Sequence, residues 1–69
     1  MSERWFVQHR QEWIEETVRV FGFINRKHIE RKFGVSTAQA SLDLRVFQEA
    51  HPDAIRYNTT AKRFEVIKP

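Results

Sequence analysis

Between Asn25 and Phe47 two helix-periodic stretches are separated by Gly34-Val35-Ser36, and that interruption constrains the fold more than any other feature. Ile29 and Phe33 repeat at i, i+4 in the first stretch, and Asn25 stands where a helix N-cap belongs. Gly34 can adopt the positive φ that closes a helix, Val35 is expected to be buried, and Ser36 can cap the next helix. The spacing predicts helices over about residues 26–33 and 37–50, joined by a tight turn. Such a unit is a helix-turn-helix, in which the second helix is the one presented to a DNA major groove.

The second helix should open with a Ser-x-x-Gln capping box, Ser36 receiving the amide of Gln39 while the Gln39 side chain reaches back. At about 100° per residue, Ala40, Leu44 and Phe47 share a narrow inward arc, and Ala40 is small where the two helices approach. The outward face then carries Thr37, Ala38, Gln39, Ser41, Leu42 and Arg45. These side chains suit base edges: Gln39 for an adenine, Arg45 for a guanine or phosphate, Thr37 and Ser41 as hydroxyl donors, Ala38 and Leu42 against a thymine methyl. Leu42 is otherwise an incidental exposed leucine, as single surface leucines are common. Asp43 suits a phosphate-facing surface poorly and is assigned to structure, bonded to a basic side chain of one of the first two helices.

The flanks are asked whether they support this unit. A first helix over about residues 2–21 starts at Ser2 or Glu3 and ends before Gly22. Phe6, Trp13 and Val20 form one ridge and Val7, Ile14, Val18 and Phe21 a neighbouring one, an apolar arc of roughly 160° where about 100° would serve one side of a core. Two readings stay open: both ridges are buried by the other helices and a hairpin, or Phe6, Trp13 and Val20 contact a second subunit. Phe23-Ile24 reads as a short strand. The Arg26–Phe33 helix carries Arg26, Lys27, Arg31 and Lys32 outside, as either a solvated face or a set of phosphate contacts.

Pro52 ends the third helix, and the period then changes to two: Ile55, Tyr57, Phe64 and Val66 alternate with Arg56, Arg63 and Glu65, as in half-buried strands. A hairpin over about residues 55–67, turning at Asn58-Thr59-Thr60-Ala61, would present Asn58, Thr59, Thr60, Lys62 and Arg63 beside the reading helix. The expected fold is α+β, a winged helix-turn-helix of three helices followed by a two- or three-stranded antiparallel wing. Sixty-nine residues allow one such domain, residues 1–69, and no second core.

Twelve basic against nine acidic residues, net +3 with pI near 9.8, is the balance of a polyanion binder only if the cations share a surface with the reading helix. With no cysteine, and with His9, His28 and His51 lacking ligand spacing, no metal site, cofactor or disulfide is expected. No apolar run approaches membrane-spanning length, so a cytoplasmic, nucleoid-associated protein is expected, without membrane or small-molecule partners. Paired carboxylates, a nucleophile with its base and a phosphate loop are missing, which argues against an enzyme.

Phe33-Gly34-Val35-Ser36, Gln39-Ala40-Ser41, Asp43-Leu44, Pro52, Tyr57-Asn58 and Lys62-Arg63-Phe64 resemble the amino-terminal winged-helix domain of bacterial transcriptional regulators that carry a WYL ligand-sensing domain, in particular those of phage-defence islands. The Gly-Val-Ser turn with Asp-Leu downstream is also similar to DeoR-type regulators. The resemblance spans about Arg10 to Val66. It implies a homodimeric repressor on an inverted repeat in double-stranded DNA, with Ser36, Thr37, Gln39, Ser41 and Lys62 at DNA-facing positions. Those regulators continue past the position of Pro69 into a linker, a WYL domain and a dimerisation segment, so ligand sensing and their mode of dimerisation are not carried over. Either the stretch is the DNA-binding part of such a regulator or it acts alone, dimerising through the first helix. The leading expectation is sequence-specific duplex binding for transcriptional control; the alternative is a winged-helix docking module for another protein, with no DNA binding.

Overall fold

Four isoleucines, one from each of four elements, meet at the centre of the molecule: Ile14, Ile24, Ile29 and Ile55 are all fully buried. The elements come from a computed structural model that describes residues 3–67, in the order α1 (Glu3–Phe21), β1 (Phe23–Ile24), α2 (Arg26–Phe33), α3 (Thr37–Ala50), β2 (Ile55–Asn58) and β3 (Arg63–Val66). Ser2, expected near the start of α1, lies outside the described residues. Val18 of α1 and Ala40, Leu44 and Phe47 of α3 complete the core, each larger side chain contributing about 1.5–3 kcal/mol by its removal from water. The fold is a winged helix, three helices with a three-stranded antiparallel sheet.

The turn between α2 and α3 follows from its residues. Gly34 sits at φ 64° and its N–H donates to the Glu30 carbonyl at 2.8 Å, closing α2. Val35 is half-buried rather than buried, packing on the edge of the core. Ser36 Oγ accepts the Gln39 N–H at 3.1 Å, but the reciprocal half of the expected capping box is absent. The Gln39 side chain turns the other way, along α3, and donates to Asp43. A reciprocal box does form at the start of α2, where Asn25 Oδ1 accepts the His28 N–H and His28 Nδ1 accepts the Asn25 N–H, each at 3.2 Å. A histidine thus takes the position at which glutamate or glutamine usually reaches back.

Asp43 joins α3 to α1. Its Oδ2 accepts Arg10 Nε at 2.7 Å, Oδ1 accepts Arg10 Nη2 at 3.3 Å, and its main-chain carbonyl accepts Gln11 Nε2 at 2.9 Å. The side chains are 12% and 3% exposed, so this fork is largely out of water, and removing one partner would strand the other charge.

The sheet has the order β1-β3-β2, with Ile24 opposite Phe64, Ile55 opposite Val66 and Tyr57 opposite Phe64. Opposed residues share a face, so Ile24, Ile55, Phe64 and Val66 line the inner side. Tyr57 follows the same alternation yet is 48% exposed. Alternation assigns a face; it does not supply a cover.

Helix α1 departs most from expectation. Its buried line is Ile14, Thr17 and Val18, whereas Phe6, Val7, Val20 and Phe21 are exposed, the last two at 62% and 68%. The helices and hairpin therefore do not bury both ridges. Trp13, on the ridge with Phe6 and Val20, is half-buried, its ring edge-on against Phe33 of α2 with centroids 5.5 Å apart. His9 meets the same Phe33 ring at 5.7 Å and stacks on Trp5 at 5.2 Å.

Candidate nucleic-acid interface

The outer face of α3, the first turn of α2 and the wing enclose a groove of about 620 Å³. Asn25, Arg26, Lys27, Ser41, Leu44, Arg45, Tyr57, Ala61, Lys62 and Phe64 line it. Four of these are cations and none is a carboxylate, so the lining favours an anion.

Each cation arrives by a different local device. Arg26 and Lys27 occupy the first turn of α2 because Asn25 caps there. Arg45 projects from α3 two turns after the Ser36 cap and pairs with Glu49 at 3.2 Å, an exposed i, i+4 contact that competing phosphate can displace at little cost. Lys62 depends on the turn. Asn58 Oδ1 accepts the N–H groups of Thr60 and Ala61, both at 3.0 Å, and the chain then passes through φ 56° at Lys62 before β3 begins. That left-handed conformation costs a non-glycine residue on the order of 1 kcal/mol and sends Lys62 toward α3.

Among the residues expected to read bases, Ala38, Ser41, Leu42 and Arg45 are exposed on α3, Leu42 at 50%. Thr37 is exposed too, its Oγ1 donating to Glu30 at 3.1 Å. Gln39 is half-buried, with one N–H committed to Asp43 Oδ1 at 3.0 Å. Ser36 is exposed and spends its hydroxyl oxygen on the helix cap. At the wing tip Thr59 and Thr60 are exposed, while Asn58 is consumed by the turn and by Glu65, to which its Nδ2 donates at 3.0 Å.

Two expected phosphate contacts are placed elsewhere. Arg63 is adjacent to Lys62 in sequence but on the other face of β3. Its guanidinium lies 4.3 Å from the centre of the Phe23 ring and bonds Glu65 at 2.8 Å. Arg31 follows Lys27 by one turn of α2 and falls outside the groove. It borders a second hollow of about 510 Å³ with Trp13, Thr17, Phe21, Phe23, His28 and Lys32, between α1, β1 and α2. Hydrogen bonds from Asn58 and then Arg63 hold the Glu65 carboxyl below its ordinary range, which fixes the base of the turn that carries Lys62.

Tyr57 is not among the expected groove residues. Its ring stands edge-on to Phe64 at 5.0 Å and forms the wing-side wall. The available signal is its register two residues beyond buried Ile55, on the same face of the hairpin.

The same architecture appears in known proteins. Residues 7–68 match the winged helix-turn-helix domain of BrxR transcriptional regulators. Over 65 residues, 94% of this chain, the sequence is 35% identical to a protein of Escherichia coli (strain KTE188) described as DNA-binding transcriptional repressor CapW. It is 36% identical over the same length to one of that description from Pseudomonas aeruginosa. The aligned part is 22% of the length of each relative. The family match takes in most of α1, the turn and the whole wing, and the chain belongs to the family of BrxR transcriptional regulator winged helix-turn-helix domains.

Proposed function

We propose that residues 1–69 act as one sequence-specific duplex DNA-binding domain that represses transcription by occupying its site. The observation that carries this reading is the carboxylate-free groove with Arg26, Lys27, Arg45 and Lys62 set around the exposed face of α3. In this reading Arg26, Lys27 and Lys62 neutralise phosphates, which fixes the register of α3 in the major groove. Thr37, Ala38, Gln39, Ser41 and Leu42 then meet base edges, and Thr59 and Thr60 follow the backbone beside the wing. The relatives described as DNA-binding repressors support the same reading. The setting is the bacterial cytoplasm, and the work is binding rather than catalysis.

A second copy belongs to the proposal. Phe6, Val20 and Phe21 leave more apolar surface on α1 than a single domain of this size covers, and Trp13 borders the same side. A dimer through α1 would place two reading helices on an inverted repeat. A palindromic consensus among selected duplexes is the expected result, and a lone half-site would remove the dimer.

Salt dependence tests the DNA reading itself. Some six phosphate contacts per bound unit give a slope of log Kobs against log salt of about −5. A flat response would show that the cations do not meet phosphate and would end the proposal.

A further inference from the structure

Gln39 is a half-buried amide at the margin of the exposed face of α3, and a carboxylate sets its orientation. Its Nε2 lies 3.0 Å from Asp43 Oδ1, and Asp43 is 2% exposed and gripped by Arg10 through Nε and Nη2 at 2.7 and 3.3 Å. A carboxylate accepts and cannot donate, so only the NH2 end of the amide can face it. The Arg10 fork fixes that carboxylate in place, and α1 in turn is anchored by the buried Ile14 and Val18.

We infer that Asp43 is a specificity-positioning residue: held by Arg10, it fixes which way round the Gln39 amide faces DNA and thereby which base Gln39 selects. The inference rests on the DNA-binding reading above and adds a direction to it. With one N–H given to Asp43, Gln39 presents its carbonyl oxygen and remaining N–H outward. That acceptor-plus-donor pair complements the N6 amine and N7 of adenine. Guanine offers two acceptors on the same edge and is disfavoured. Left free, an amide can rotate and serve either base, so the buried charge converts a permissive reader into a selective one. Asp43 itself touches no DNA and acts through Gln39.

The Asp43→Asn variant inverts the arrangement. Arg10 has only donors, so it draws the oxygen of the substituted amide and leaves that amide's NH2 facing Gln39. Gln39 then turns its oxygen inward and offers two N–H groups outward. Duplexes selected from a random pool by the wild-type protein should carry one position with a strong adenine preference. That preference should fall about tenfold in D43N, with guanine gaining, while the other positions and the salt slope keep their values. Repeating the selection in Gln39→Ala and in the double variant completes a cycle: D43N should shift no base preference once Gln39 is gone.

If wild-type protein enriches no sequence, the DNA reading fails and takes this inference with it. If it enriches a site and D43N only weakens binding equally on preferred and random duplex, the DNA reading stands and the positioning role is overturned. A readout on the free wild-type protein covers the case in which D43N does not fold. One Gln39 side-chain amide proton should be shifted downfield of both those of Gln48 and exchange more slowly, whereas values typical of a free glutamine would overturn the inference.

Discussion

Two hollows on this small domain are close in size, about 620 and 510 Å³, and opposite in chemistry. One is ringed by Arg26, Lys27, Arg45 and Lys62; the other is walled by Trp13, Phe21 and Phe23, with Arg31 and Lys32 at its edge. Helix α2 borders both. Its four cations look like one basic cluster in the sequence, but corresponding members of the two pairs are five residues apart, turned by about 140° and raised by more than one turn, so the first pair and the last pair serve different surfaces. A count of charges on a helix is therefore not a description of a face.

The largest expected effect removes the wall that the hollows share. Ile29 is fully buried on α2, and Ile29→Ala should cost about 2–5 kcal/mol. That is a large part of the roughly 3–10 kcal/mol available to a domain of this length. The urea midpoint should drop accordingly; a loss below about 1 kcal/mol would mean that the two surfaces are not held apart by α2.

Charge reversal separates the surfaces directly. Arg26→Glu with Lys27→Glu should lower affinity for any duplex on the order of 100-fold at about 0.1 M salt, since each lost phosphate contact is worth nearly tenfold there. Arg31→Glu with Lys32→Glu should change affinity only about threefold, through long-range charge alone. Equal losses in titrations of labelled duplex would merge the two surfaces into one and restore the reading of α2 as a single phosphate-binding face.

The smallest effect is confined to the wing. The Glu65 carboxyl is held below its ordinary range by Asn58 and Arg63, so its folded-state pKa lies under its unfolded one. Its contribution is therefore complete above the ordinary carboxylate range and is lost as pH falls through the lowered value. In an NMR titration the amides of Thr60 and Ala61 should shift with a midpoint below that of an unperturbed glutamate, and Glu65→Gln should abolish the step. A midpoint at or above about 4.3 would show that these bonds do not hold the turn.

Short-range chemistry made the centre of the fold legible. Asn25, Gly34 and Ser36 act on amides within a few residues of themselves, so the α2-turn-α3 unit could be read directly, as could the inward set Ala40, Leu44 and Phe47. The candidate site was legible to the extent that exposure on α3 decided it. What escaped depends on distant partners. Gln39 gives up the reciprocal capping bond for Asp43, one turn along the same helix, whose carboxylate is held by Arg10, far off in the chain. Lys62 and Arg63 look interchangeable until the turn at φ 56° sends them to opposite sides. On α1, a correct 3.6-residue period says nothing about how far the neighbouring elements extend, and Val20 and Phe21 lie beyond their reach.

The strand β1 is two residues long, yet it fixes a gauge. Ile24 pairs with Phe64 of the wing and is followed at once by Asn25, the cap from which Arg26 and Lys27 project. The jaw that carries Lys62 and the jaw that carries Arg26 and Lys27 are thus riveted to each other through a single strand pair. The spacing between the two sets of cations is therefore set by a strand pair and not by the wing turn alone.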